Sequence, residues 1–167
     1  MTLPIVLSLI STTAIVTGVV FAMLQLLHMN RQRTRESALQ MVHSFRTPEF
    51  LEAINIVFEL PEGLSRREIE ERIGDKVSCL LVLFGSFESL GILVYRRDID
   101  IDMVEDFFSG VLVLSGRKLA RYVDDYRKAG NRETYYEWYQ WLSEQVARRE
   151  AKAPSVPAFI AHRDWRE

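Results

Sequence analysis

Residues 77–97, VSCLLVLFGSFESLGILVYRR, decide the fold, because the run is long and apolar enough to be either a membrane span or the central helix of a core. Glu88 and three serines (Ser78, Ser86, Ser89) make insertion into hydrocarbon costly. Arg96 and Arg97 follow at once, and the remainder of the chain is as basic as the segment before the run. A crossing here would export those cations against the positive-inside tendency. The run is therefore expected to be a buried helix.

Working upstream, Ser65 with Glu68 three residues later forms a capping box. Ile69, Ile73, Val77, Leu80, Phe84, Phe87, Gly91 and Val94 then recur every three or four residues, so one long helix is predicted from Ser65 to the end of the run. Before it, Thr47-Pro48-Glu49 supplies a hydroxyl cap, proline at the first helical position and an acid in the first turn. Phe50, Leu51, Ile54, Val57 and Phe58 give that helix its apolar face, and Pro61-Glu62-Gly63 ends it.

Downstream, Asp98, Asp100 and Asp102 stand where a calcium loop begins. Met103 replaces the turn glycine, however, and Ser109 the bidentate glutamate. A capping box of Asp102 with Glu105 is the better reading. A fourth helix over 103–128 carries a seam of Phe108, Leu112, Ser115, Leu119, Tyr122 and Tyr126, closed by Gly130. Asn131 is expected to cap a fifth helix. Its Tyr135, Trp138, Tyr139 and Leu142 face the core, while Tyr136 and Trp141 point elsewhere and are candidate partner anchors. Residues 151–167 form a tail with Pro154 and Pro157, in which Trp165 is a third candidate anchor.

Residues 1–30 carry no charged side chain, and Arg31, Arg33 and Arg35 follow. About 20 apolar residues cross a bilayer core. With no basic n-region, a retained anchor is preferred to a cleaved signal peptide. Positive-inside places the N-terminus outside and the rest of the chain in the cytoplasm, where the lone Cys79 fits a reducing compartment. Ala14, Gly18 and Ala22 fall on one face of the span, where a second helix can approach closely. His28 reads as an interfacial histidine rather than a ligand.

The architecture expected is all-α: a transmembrane anchor (1–30), a juxtamembrane helix (31–46), a cytoplasmic bundle of about four helices (47–150) and a tail (151–167). No phosphate-binding glycine loop, metal-ligand spacing or nucleophile elbow occurs, and His28, His43 and His162 are scattered. Neither catalysis, a cofactor nor a metal is expected. Lys and Arg (21) nearly balance Asp and Glu (23), which gives no field for nucleic acid. Glu88 is a buried polar candidate, with Arg117 or Arg121 as its expected partner and Gly91 beside it as a close-packing point. The expected partners are the bilayer and either a membrane protein or a second copy.

Residues 87–94, FESLGILV, followed by Arg96-Arg97-Asp98-Ile99-Asp100, resemble a bacterial family of small uncharacterised proteins carrying a domain of unknown function. The resemblance runs from about Ala38 to Leu142. It implies an N-terminal span and a helical domain at the cytoplasmic face of the inner membrane, with no reaction or substrate. Three functions are compatible with the sequence: an accessory or scaffolding protein, a regulatory or stress-response module that binds a small ligand, and, least favoured, membrane-surface chemistry centred on Glu88.

Overall fold

The computed structural model describes residues 17–23, 25, 45, 47–153 and 156–166. By its internal contacts the chain divides into Met1–His43 and Ser44–Glu167. In the first unit, residues 17–23 are helical; Gly18 and Ala22 are exposed, and nothing lies within 4 Å of where a Cβ on Gly18 would stand. Ala14, His28, the three arginines after residue 30 and most of the expected span and juxtamembrane helix lie outside the described residues.

The second unit is helical, with no strand among its described residues. Helix α1 (Pro48–Glu59) starts as its sequence predicts, with Thr47 Oγ1 accepting from the Phe50 N–H. Lys118 Nζ donates to the Val57 and Phe58 carbonyls at 2.9 Å each, which places a cation at the negative end of α1. Helix α2 (Arg66–Ile73) carries the capping box of Ser65 and Glu68.

The long helix expected from Ser65 is broken. Gly74 takes φ 54 as the C-cap of α2, and a 3₁₀ turn (Gly74–Lys76) leads into α3 (Val77–Tyr95). Glycine is the residue that reaches positive φ without steric penalty, so the sequence does hold the signal for the break.

Helix α4 (Ile101–Lys118) is capped by Asp100, whose Oδ1 accepts from the Asp102 N–H. Asp102 and Glu105, expected to form the cap, instead pair with Arg149. The fourth helix also divides at Leu119 into α4 and α5 (Ala120–Gly130), although its predicted seam survives: Leu112, Ser115, Leu119 and Tyr122 are all buried. Asn131 caps the C-terminus of α5 at φ 47 rather than opening the next helix, a left-handed conformation that asparagine tolerates. Helix α6 (Glu137–Lys152) follows, and a short α7 (Ala158–Ala161) lies in the tail.

Helices α1 and α6 each pack against both α3 and α4, so these four form a bundle; α2 and α5 pair with one another beside it. At the bundle centre Phe45, Phe50, Phe87 and Phe108 meet with ring centroids 4.6–6.3 Å apart. Phe84 stacks on Tyr122 and Tyr136 and meets Tyr139 edge-on at 5.2 Å. Each such buried ring contributes about 1.5–3 kcal/mol through area removed from water.

Among the described residues, Arg66–Tyr95 is the one helical run long and apolar enough to cross a membrane. The bundle accounts for much of that composition. Cys79, Leu80, Leu83, Phe84, Phe87, Leu90, Gly91 and Val94 are buried, as the reading of α3 as a core helix requires. The α2–α5 pair is latched by two polar contacts: the Tyr122 hydroxyl donates to Glu70 at 3.1 Å and the Arg66 backbone N–H to Asp125, while Arg66 Nε, within α2, holds the Glu70 carboxylate at 2.6 Å.

Candidate functional site

Helix α6 begins without a local cap. Its N-cap residue is Tyr136, at φ 55, whose side chain makes no capping bond. The first N–H groups of a helix have no partner within it. Glu88 supplies one from α3: its Oε2 accepts from the Tyr139 N–H at 2.8 Å, and the neighbouring Trp138 N–H adds to the pull on this carboxylate. A carboxylate at a helix N-terminus also meets the favourable end of the helix dipole. Burial pushes the Glu88 carboxyl above the usual glutamate range, against the opposing pull of these two N–H groups.

Gly91, one turn along the same face of α3, explains how α6 comes so close. A Cβ there would lie 2.5 Å from the Trp138 carbonyl oxygen and 2.9 Å from its carbon. Glu88 and Gly91 are thus a single docking device for the start of α6. The expected partners of Glu88 are engaged elsewhere: Arg117 pairs with Glu62 at 2.8 Å, and Arg121 donates to the Gly63 carbonyl at 2.9 Å. These contacts give Glu88 a structural role in seating the start of α6.

The partner-anchor candidates separate. Tyr136 turns inward, its ring 4.5 Å from Phe84 and 5.2 Å from Tyr126. Trp141 is half-buried in a surface cluster with Tyr95 (6.0 Å) and Trp138 (6.0 Å). Trp165 is exposed, as are Phe159 and Ile160 of the tail.

A second exposed surface was hidden in the apolar face assigned to α1. Phe50, Ala53, Ile56 and Val57 are buried, but Leu51 (53% exposed) and Phe58 (57%) face solvent. Phe107 of the adjoining α4 is 51% exposed. The two helices run side by side in the same direction, with Phe50 near Phe108 at one end and Phe58 near Lys118 at the other. Leu51 and Phe58 are seven residues apart and about 100° round the helix from Phe50 at 3.6 residues per turn, which is the sequence signal for this second face.

A groove of about 350 Å³ lies between α4, α5 and α6, lined by Val113, Gly116, Val123, Gln140, Ser143 and Ala147 among others. Tyr139 also borders it. The Tyr139 hydroxyl is buried beside Ser115 yet makes no hydrogen bond of acceptable geometry, and Ser115 Oγ donates instead to the Leu112 carbonyl. Burial pushes the Tyr139 hydroxyl well above the usual tyrosine range. Among the described residues no group of three or more His, Cys, Asp or Glu is placed to hold a metal ion. Of the acids before and in the first turn of α4, Asp100 caps the helix and Asp102 pairs with Arg149.

No curated protein and no solved structure matches the chain. One family does match, over residues 12–146, and that range takes in both the Glu88–Gly91 device and the aromatic start of α6 that it holds; the chain belongs to the family defined by a domain of unknown function, DUF4760.

Proposed function

We propose that this protein is a membrane-anchored accessory or scaffolding protein that binds a partner protein at the cytoplasmic face of the bacterial inner membrane. The observation that carries the reading is the solvent exposure of three large apolar side chains, Leu51 and Phe58 on α1 and Phe107 on the adjoining α4. Single exposed apolar residues need no explanation, whereas a group on neighbouring elements marks a contact surface. The uncharged residues 1–30 and the arginines that follow support the anchor and its orientation. Ala14, Gly18 and Ala22 support a helix partner within the bilayer.

The test is capture of the tagged full-length chain in mild detergent, compared with Leu51→Ser/Phe58→Ser and Phe107→Ser. A stoichiometric partner lost in these variants, with their melting temperature unchanged, is the expected result. A partner retained by all of them refutes the assignment of this face. The groove between α4, α5 and α6 favours a second reading, a regulatory module that binds a small ligand. Recovery of the chain alone with a bound small molecule would favour that reading over the first.

A further inference from the structure

We infer that the outer face of α6, with the end of α3, is a contact surface for anionic lipid headgroups, so that the domain lies on the bilayer as well as being tethered to it. This deepens the membrane-anchored reading and rests on it. Tyr95 is 63% exposed, and its ring lies 4.8 Å from Trp138 and 6.0 Å from Trp141. Tyrosine and tryptophan pair an apolar body with a polar tip, which suits them to the water–lipid boundary.

The charge along the same face fits that location. Successive residues of an α-helix advance by about 100°, so Trp138, Trp141, Gln145, Arg148 and Lys152 fall within an arc of about 80°. The acids of α6 lie off that arc: Glu137 and Glu144 on one flank, Glu150 on the far side. Arg96 and Arg97 follow Tyr95 directly, with Asp98 the one acid beside them. Arg96, Arg97, Arg148 and Lys152 are exposed and enter no ion pair among the described residues, whereas the neighbouring Arg149 is held by Asp102 and Glu105. Arg97 also stands at φ 63, where glycine is the usual residue, its N–H closing α3 on the Val94 carbonyl. Unpaired cations beside interfacial aromatics complement an anionic leaflet, which attracts basic segments lying within a Debye length of it.

The chain's own tryptophans provide the test. It holds three, Trp138, Trp141 and Trp165, and residues 1–30 hold none. Full-length protein carrying Trp165→Phe is reconstituted into vesicles of phosphatidylcholine alone or with phosphatidylglycerol, with ordinary or brominated acyl chains. Emission should be quenched at least twofold by brominated lipid in the anionic vesicles and much less in the zwitterionic ones. Arg97→Gly should reduce that quenching without loss of thermal stability, because glycine relieves the positive φ; adding Arg96→Gln, Arg148→Gln and Lys152→Gln should abolish it. Emission unaffected by bromine in vesicles that retain the chain through a carbonate wash overturns this surface while leaving the anchor intact. Release by carbonate with quenching preserved would instead overturn the anchor and support the surface. Quenching that ignores both lipid charge and the four substitutions overturns the headgroup assignment.

Discussion

Replacing Gly91 by alanine separates close packing from helix propensity, because the two act in opposite directions at that position. In a helix interior alanine is favoured over glycine by about 1 kcal/mol. At Gly91, however, the added carbon would stand 2.5 Å from the Trp138 carbonyl oxygen, against 3.4 Å or more for ordinary contact. The obstacle is backbone, which cannot rotate away, so α6 must retreat by most of an ångström. Overpacking of this kind costs about 1–3 kcal/mol. The retreat also stretches the 2.8 Å bond from the Tyr139 N–H to Glu88, with a further loss of about 1 kcal/mol. Gly91→Ala should therefore destabilise the domain by about 1–3 kcal/mol. Gly85, two turns earlier in α3 and with nothing within 4 Å of its would-be Cβ, is the control. Gly85→Ala should stabilise by up to about 1 kcal/mol, the propensity gain unopposed. Thermal unfolding of the full-length variants in detergent, followed by circular dichroism, should place their midpoints on opposite sides of the parent, at roughly 3–5 °C per kcal/mol for a domain of this size. A Gly91→Ala protein as stable as Gly85→Ala would refute the close approach of α3 and α6.

Glu88 and Tyr139 give two further expectations. Glu88→Gln keeps an oxygen to accept from the Tyr139 N–H and should cost less than about 1 kcal/mol, whereas Glu88→Leu leaves that N–H unpaired and should cost about 1–3 kcal/mol. Because the folded-state carboxyl sits above its ordinary range, proton uptake favours folding. The parent should then gain stability relative to Glu88→Gln as pH falls through the raised value toward 4.5 and lose it again on return to neutrality, measured as the difference between their unfolding midpoints. A difference that runs the other way would mean that the N–H groups outweigh burial. Tyr139→Phe removes a buried hydroxyl that has no hydrogen bond, so the variant should match or exceed the parent in thermal stability; a loss above about 1 kcal/mol would show that the hydroxyl has a partner.

The parts of the fold that were legible in the sequence are those whose causes are local. Thr47 before Pro48 and Ser65 before Glu68 satisfy N–H groups within their own first turns, and both helices begin where these residues stand. The seam from Leu112 through Leu119 to Tyr122 is a matter of periodicity and survives a break that carries no proline or glycine. The break at Gly74 is the local exception, a glycine signal masked by the periodicity on either side of it; at the start of α4 the deciding contact came from far along the chain. Asp102 and Glu105 have the spacing of a capping box, but Arg149, on another helix, offers both carboxylates a guanidinium. A cation that makes two charge-assisted contacts displaces a local cap, and Asp100, two residues earlier, takes over that duty. Asn131 has the chemistry of an N-cap and equally that of a left-handed C-cap, and only the chain's path after α5 selects between them.

The start of α6 is the extreme case, since no residue near Tyr136 hints at what completes it. Its missing cap lies on α3, fifty-one residues away in sequence. In residues 77–97 the glutamate looks like a flaw in an apolar run and the glycine like a weak point in a helix. Each is unfavourable in isolation: a buried carboxylate loses hydration, and a helical glycine costs about 1 kcal/mol. Set three residues apart on one face, they cooperate, because the glycine admits the incoming backbone and the carboxylate receives its unpaired N–H groups. The same approach brings Trp138 and Trp141 to the surface beside Tyr95. The two residues least suited to a membrane span are thus the ones that seat α6, and they build the aromatic end of the surface proposed to meet lipid without being part of it.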